Sequence, residues 1–371
     1  MAERTEKKTG GKYIPSLQAL RGIAFLGVFL RHSGVLTRGA MTISVFFILS
    51  GFLTAYHSSG GRPLDCSLSG CLRFSLRRIR KLYPLYMLTL LFLLALLLRS
   101  MRLDALPGTS MRDVAVTFGL HAVLLQAWAP FRSIYFAFNT SAWFLSVLMF
   151  FYAVSPPALT ALRRLSVRGL LRAMLIICAV YCAYSFAAAL TADRWIPSYA
   201  REWFLYIAPP YRLGDYLIGC CLGFLFPSCA SVPIPRRRAA LAEAAVLALA
   251  VMTFVIYTLD VGFLCRLGLE KTVLPLPAAA MLVFLTALDR GGVLSVLNNR
   301  LARFFGGISA SAFLIHWPVL TACKRLFAHV GLPADGSPAF IGTCFALTIL
   351  LSLAWNALQA RIHTTGAKKT T

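Results

Sequence analysis

The sequence predicts an all-α, polytopic transmembrane bundle of about ten spans, with the N- and C-termini cytoplasmic. Three observations carry that prediction. Apolar residues make up 58% of the 371 and charged residues only 13%, far below the roughly 25% of a soluble domain. Mean hydropathy is +0.73. The apolar residues also gather in runs long enough to cross hydrocarbon. No polar stretch is long enough for a separate soluble unit, so residues 1–371 read as one membrane domain. Its spans run from about 16 to 358, with polar cytoplasmic tails at 1–14 and 359–371.

The first run, 16–33, follows the basic stretch MAERTEKKTGGK and superficially resembles a secretory signal. No small-x-small cleavage site follows it, and Arg31 and His32 stand at its far end, so it reads as the first span. The remaining runs are 41–57, 82–98, 142–162, 170–190, 211–226, 239–259, 272–288, 304–323 and 339–358. An eleventh, weaker stretch covers 114–128.

The basic residues decide how that weak stretch is read. The chain has 37 Lys and Arg against 13 Asp and Glu, a net charge of +24. In a soluble protein this would suggest nucleic acid. Here the positive-inside rule accounts for it, and no nucleic-acid partner is expected. Ten spans with a cytoplasmic N-terminus put the clusters around Arg73, Arg77, Arg78, Arg80 and Lys81, around Arg163 to Arg172, and at Arg236 to Arg238 all inside. Counting 114–128 as a span would turn Arg163 to Arg172 outward, so it is expected to be interfacial or re-entrant.

Ten cysteines lie scattered without paired C-x-x-C spacing, which leaves no zinc or redox site and no expected metal. They read as small packing residues. No internal repeat of the kind found in two-halved transporters is visible.

Ionisable groups inside hydrocarbon are costly, so they are the first functional candidates. Arg21 and His32 in the first span are eleven residues apart, which brings them to one helix face about 16 Å apart along the axis. Read alone, Arg21 equally suits snorkelling to headgroups, and His32 suits the outer interface. Arg212 and Asp215, at i and i+3, can form an ion pair within their span. His316 precedes Trp317 and Pro318 and by itself suits an interfacial anchor. The cluster Arg77, Arg78, Arg80, Lys81 and Tyr83 suits phosphate oxygens or anionic headgroups equally well on charge alone.

Five segments in order bring in a resemblance. SLQALRGIAFLGVFLRH holds Arg21 and His32; SVFFILSGFLTAY holds Phe46, Phe47, Ser50, Gly51 and Phe52; RRIRKLYPLY holds Arg77, Arg78, Arg80, Tyr83 and Pro84. AWFLSVLMFFY holds Trp143, Leu145, Ser146, Phe151 and Tyr152, and ISASAFLIHWPVL holds His316, Trp317 and Pro318. Together they resemble the membrane-bound acyltransferase 3 family, bacterial enzymes that acylate sugars of surface glycans. Two departures stand out. Many members carry Glu-Glu where this chain has Leu148 and Met149, and Asp where it has Ser44, so no role for those acids carries over.

The resemblance implies an integral O-acyltransferase of the bacterial cytoplasmic membrane. It would move an acyl group, acetyl first, from cytoplasmic acyl-CoA to a hydroxyl of a cell-surface or lipid-linked glycan. Acyl-CoA would be a donor substrate, with no permanently bound cofactor; the other partners would be the glycan acceptor and membrane lipids. His32 would act as general base or as the acylated nucleophile, with Arg21 holding phosphate or oxyanion charge. Arg77, Arg78, Arg80, Lys81 and Tyr83 would hold the donor nucleotide. Ser50, Trp143, Ser146, Tyr152, Arg212, Asp215 and His316 would line the substrate cavity. Two other classes stay open at this point: a transporter or flippase of a polar or sugar-bearing metabolite, proton-coupled through His32 with the Arg212 and Asp215 pair, and a membrane module that recognises a ligand.

Overall fold

The computed structural model describes residues 12–36, 40–60, 63–102, 110–191, 197–259, 264, 269, 271–334 and 336–368. All regular structure among them is helical. The main helices are α1 (Pro15–His32), α2 (Ala40–Ser58), α3 (Leu68–Ile79), α4 (Tyr83–Arg102), α5 (Met111–Ala122), the short α6 (Arg132–Tyr135), α7 (Trp143–Leu162), α8 (Val167–Leu190), α9 (Pro209–Ala230), α10 (Arg236–Thr258), α11 (Pro275–Leu288), α12 (Arg300–His329) and α13 (Pro338–Lys368).

Their starts follow from local chemistry. Ser67, Ser110, Ser166 and Asn299 accept backbone N–H groups at the N-termini of α3, α5, α8 and α12. Proline opens α1, α9 and α11, where its missing N–H costs nothing. Beside α3, the Ser67 hydroxyl, then its amide, hold the exposed Asp65 carboxyl below its usual range.

Eight helices among the described residues are long and apolar enough to cross a bilayer: α2, α4, α7, α8, α9, α10, α12 and α13. The other two expected spans are also helices. α1 has Gln18, Arg21, Arg31 and His32 along its 18 residues, and α11 has only 14 residues. The stretch 114–128 does not form one long helix. α5 is 12 residues long, about 18 Å, and the chain reverses at Leu124, which adopts a positive φ of 58°. The hydroxyls of Tyr83 and Tyr86, at the start of α4, donate to the carbonyls of Ala122 and His121 (2.8 and 2.7 Å) and hold the end of α5 there. The chain then returns through Gln126–Trp128 and α6 to the start of α7. The basic run after residue 67, read from sequence only as a charged segment, is the amphipathic helix α3. Its Ser75 hydroxyl donates to the Met149 carbonyl on α7 (2.7 Å), while Arg73, Arg77 and Arg80 stay exposed.

α2 and α12 are the most enclosed of the long helices, whereas α8 and α13 expose most of theirs, with Leu175, Ile176, Leu350 and Leu351 facing outward. Two close helix pairs build the centre. α1 runs alongside α12, and a side chain at Gly306 would meet the Gln18 carbonyl, so only glycine permits that approach. α2 crosses α9 in the same way at Gly219, where a Cβ would strike the Ile48 carbonyl. These two contacts bring α1, α2, α9 and α12 together and set the spacing of everything between them.

Candidate active site

The site begins with a proline. Pro318 has no N–H, so the carbonyl four residues earlier, Leu314, loses its helical partner. The Asn139 side-chain amide donates to it instead (2.9 Å), and Trp317 Nε1 donates to the Phe138 carbonyl (3.0 Å). These two bonds fix the segment before α7 against the middle of α12. Asn139 Oδ1 in turn accepts the Ser141 amide, which places Ser141 beside His316.

The two intramembrane histidines meet. His32 Nδ1 lies 2.9 Å from His316 Nε2, with the ring planes 6° apart. His316 Nδ1 lies 3.2 Å from the Ala312 carbonyl, which only accepts, so that nitrogen carries the proton and Nε2 is an acceptor. His32 therefore donates from Nδ1, and its lone pair resides on Nε2. The Ser141 hydroxyl lies 3.2 Å from the same His316 Nε2, and Trp317 stands edge-on to His32 at 5.3 Å. His316 is wholly buried; His32 is partly exposed and lines a cavity of about 510 Å³.

That outer cavity is also walled by Trp143, Trp317, Ser141, Phe136 and Tyr206. Among the described residues, four charged groups line it: Arg31, Arg132, Lys271 and Glu202. Glu202 sits between Arg132 (3.5 Å) and Lys271 (4.0 Å) and accepts the Tyr135 hydroxyl (3.4 Å). Among the described residues three cations face one carboxylate, an excess of positive charge. Ser141, Arg132, Glu202 and Lys271 were not legible as site residues, since no spacing rule links them to His32 or His316.

Arg21 shares a helix face with His32 but not its cavity. It lines a second cavity of about 200 Å³, with Ser50, Arg78, Leu148, Tyr152 and Ser309. Arg78 donates to Thr54 Oγ1 (3.0 Å) and stacks over the rings of Phe74 (4.8 Å) and Tyr152 (5.2 Å), which aims its guanidinium inward rather than to headgroups. Ser50 donates to the Phe46 carbonyl (2.8 Å). Arg21 and His32, on one helix face, thus open onto two chambers, inner and outer, that meet at the Phe313 ring.

The other candidates lie elsewhere. Arg77, Arg80 and Tyr83 line a third cavity of about 640 Å³ under the end of α5, and Lys81 is exposed. Ser146 is buried and donates to the Leu124 carbonyl (2.6 Å), which fixes the reversal after α5. Arg212 and Asp215 are fully buried and pair at 3.4 Å. Arg212 also donates to Thr272 (2.9 Å) and Ser44 (3.1 Å) and lies under the Phe47 and Tyr206 rings, while Asp215 accepts the Tyr181 hydroxyl (2.8 Å). They stand behind the wall of the outer cavity, whose Tyr206 covers the guanidinium. Of the two departures, Ser44 meets Arg212, whose carboxylate partner comes instead from Asp215; Leu148 lines the inner chamber, where an acid would face Arg21. Among the described residues no group of three or more His, Cys, Asp or Glu could hold a metal ion.

Comparison with known proteins identifies the family. An acyltransferase-domain family, acyltransferase 3, matches residues 14–356. The acyltransferase MdmB of Streptomyces mycarofaciens is 27% identical over 360 residues, covering 91% of this chain and 87% of that protein. No solved structure matches.

Proposed function

The chain belongs to the acyltransferase 3 family and is a membrane acyltransferase, and from that premise we propose that it is an O-acyltransferase working across the bacterial cytoplasmic membrane. It carries an acyl group, acetyl first, from cytoplasmic acyl-CoA to a hydroxyl of a surface or lipid-linked glycan. The observation that carries the reading is the His32 to His316 hydrogen bond of 2.9 Å beside an open cavity.

The chemistry follows from the proton assignment. Ala312 holds the His316 proton on Nδ1, His316 holds that of His32 on Nδ1, and His32 Nε2 is left as the base. The acceptor hydroxyl gives its proton to Nε2 as its oxygen attacks the thioester carbonyl. The resulting imidazolium charge spreads over the His32 to His316 hydrogen bond, which strengthens as charge develops. The positive outer cavity, with Arg31, Arg132 and Lys271, favours the oxyanion. Collapse of that intermediate expels the CoA thiolate, which takes the proton back from His32. Arg21 and Arg78, in the inner chamber, hold donor phosphate at the cytoplasmic side, with Arg77 and Arg80 exposed nearby on α3. Acyl-CoA is a substrate here and no resident cofactor is required.

The test is thiol release from acetyl-CoA by the purified chain in liposomes, with and without a glycan acceptor. Acceptor-dependent release that needs no ion gradient and is lost in His32→Ala, with the variant's melting temperature unchanged, supports the reading. Full release by His32→Ala removes the base.

A further inference from the structure

The two chambers share one lining residue, Phe313. Four helices, α1, α2, α7 and α12, line both chambers. On α1 the outer residues are Val28, Arg31 and His32 and the inner one is Arg21. On α2 the change falls between Ile43 and Phe46, and on α7 between the adjacent Trp143 and Phe144. On α12 a single residue, Phe313, faces both sides.

Three aromatic rings meet at that residue. The Phe313 ring lies 5.2 Å from Phe144 and 5.9 Å from Phe46, and Phe46 lies 6.0 Å from Phe144. Rings with centroids this close are in van der Waals contact and leave no opening for an acyl group. Phe144 is backed by Phe47, stacked on it at 4.5 Å, and Phe47 in turn by Trp143 and Phe151. Phe313 is the member that lines both chambers; beyond Phe46 and Phe144 its ring neighbour is His316, at 5.8 Å. It is the ring with open volume on both sides into which it can turn.

We infer that Phe46, Phe144 and Phe313 form a partition that the acyl group crosses on its way to His32, and that Phe313 sets the size of acyl group that passes. The inference rests on the acyl-CoA reading for its substrate and on geometry alone for the partition. Rotation of the Phe313 ring opens a gap beside Phe46 and the backed Phe144 ring, through which a short acyl chain passes on its thioester. Longer chains remain in the inner chamber. Closed, the partition also keeps water of the outer cavity from the thioester.

The experiment uses the full chain in liposomes and reads thiol release from acetyl-, butyryl- and octanoyl-CoA with water as the acyl acceptor. In that reaction the water oxygen bonds to the acyl carbon, the carbon to sulfur bond breaks, and the water proton ends on the thiol. Wild-type protein is expected to prefer acetyl-CoA. Phe313→Ala should raise octanoyl-CoA cleavage relative to acetyl-CoA by about tenfold or more, the scale on which an apolar passage discriminates chain length. Phe313→Leu, which keeps the core filled, should fall between them, and melting temperatures check that both fold. A chain-length profile unchanged in folded Phe313→Ala overturns the size filter. The decay of an imposed pH gradient in the same liposomes tests the partition without any donor: faster decay in Phe313→Ala supports it, and equal decay overturns it. Absence of thiol release from every donor in wild-type protein, with a glycan acceptor as well as with water, would sink the acyl-CoA reading and leave the gradient measurement to decide the partition.

Discussion

Replacing His316 with alanine isolates the contribution of one hydrogen bond to the proposed base. In the native site His316 Nε2 accepts from His32 Nδ1 at 2.9 Å, so His32 carries its lone pair on Nε2. Alanine removes that acceptor and leaves the Ala312 carbonyl with one partner fewer. A hydrogen bond to a group that becomes charged is worth about 1.5 to 3 kcal/mol. At about 1.4 kcal/mol per tenfold in rate, kcat should fall roughly 10- to 150-fold. KM for acyl-CoA should hardly move, because Arg21 and Arg78 lie in the other chamber. His316→Gln, whose amide oxygen can accept the same proton, should restore part of kcat. Steady-state kinetics on thiol release in liposomes separates the two constants. A kcat within twofold of wild type for His316→Ala, or a loss carried by KM alone, would refute the proton assignment and with it the role of His32.

Three further outcomes are expected. Substituting Arg77, Arg78 and Arg80 together should raise KM for acyl-CoA more than it lowers kcat; Arg78→Ala should account for most of the effect, since only that guanidinium lines the inner chamber, and an unchanged KM would assign the cluster to lipid headgroups. Arg212→Met should destabilise the protein by about 3 to 5 kcal/mol, because it leaves the Asp215 carboxylate buried without its cation, while Arg212→Met with Asp215→Leu should regain most of that in a thermal melt and keep its activity. Activity lost in a folded double variant would show that the pair does more than hold the fold. Asn139→Ala strands the Leu314 carbonyl, which should cost about 1 to 3 kcal/mol and lower kcat by releasing Ser141; Pro318→Ala, which returns an N–H to that carbonyl, should offset part of the stability loss.

Much of this architecture was written along the chain. Ten apolar runs read from hydropathy coincide with ten helices, because a span of hydrocarbon demands a continuous run of apolar residues wherever the neighbours lie. The charge rule also kept 114–128 from being counted as a span, and α5 indeed turns back at Leu124. Arg21, His32 and His316 stood out for the same local reason: each is costly where the sequence puts it.

What the chain order left open concerns pairs. Arg21 and His32 share a helix face, yet only packing decides what lies between them, and three rings from α2, α7 and α12 divide the space. His32 and His316 are 284 residues apart, and their hydrogen bond depends on the close approach of α1 and α12 at Gly306. The role of Pro318 is similar: a missing N–H is visible in the sequence, but its consequence, a carbonyl free to hold Asn139 and so to position Ser141, exists only once the chain has folded around it. Hydropathy is a property of each segment by itself, so sequence settles it; contacts between distant side chains are properties of the packed bundle, and only the tertiary structure decides them.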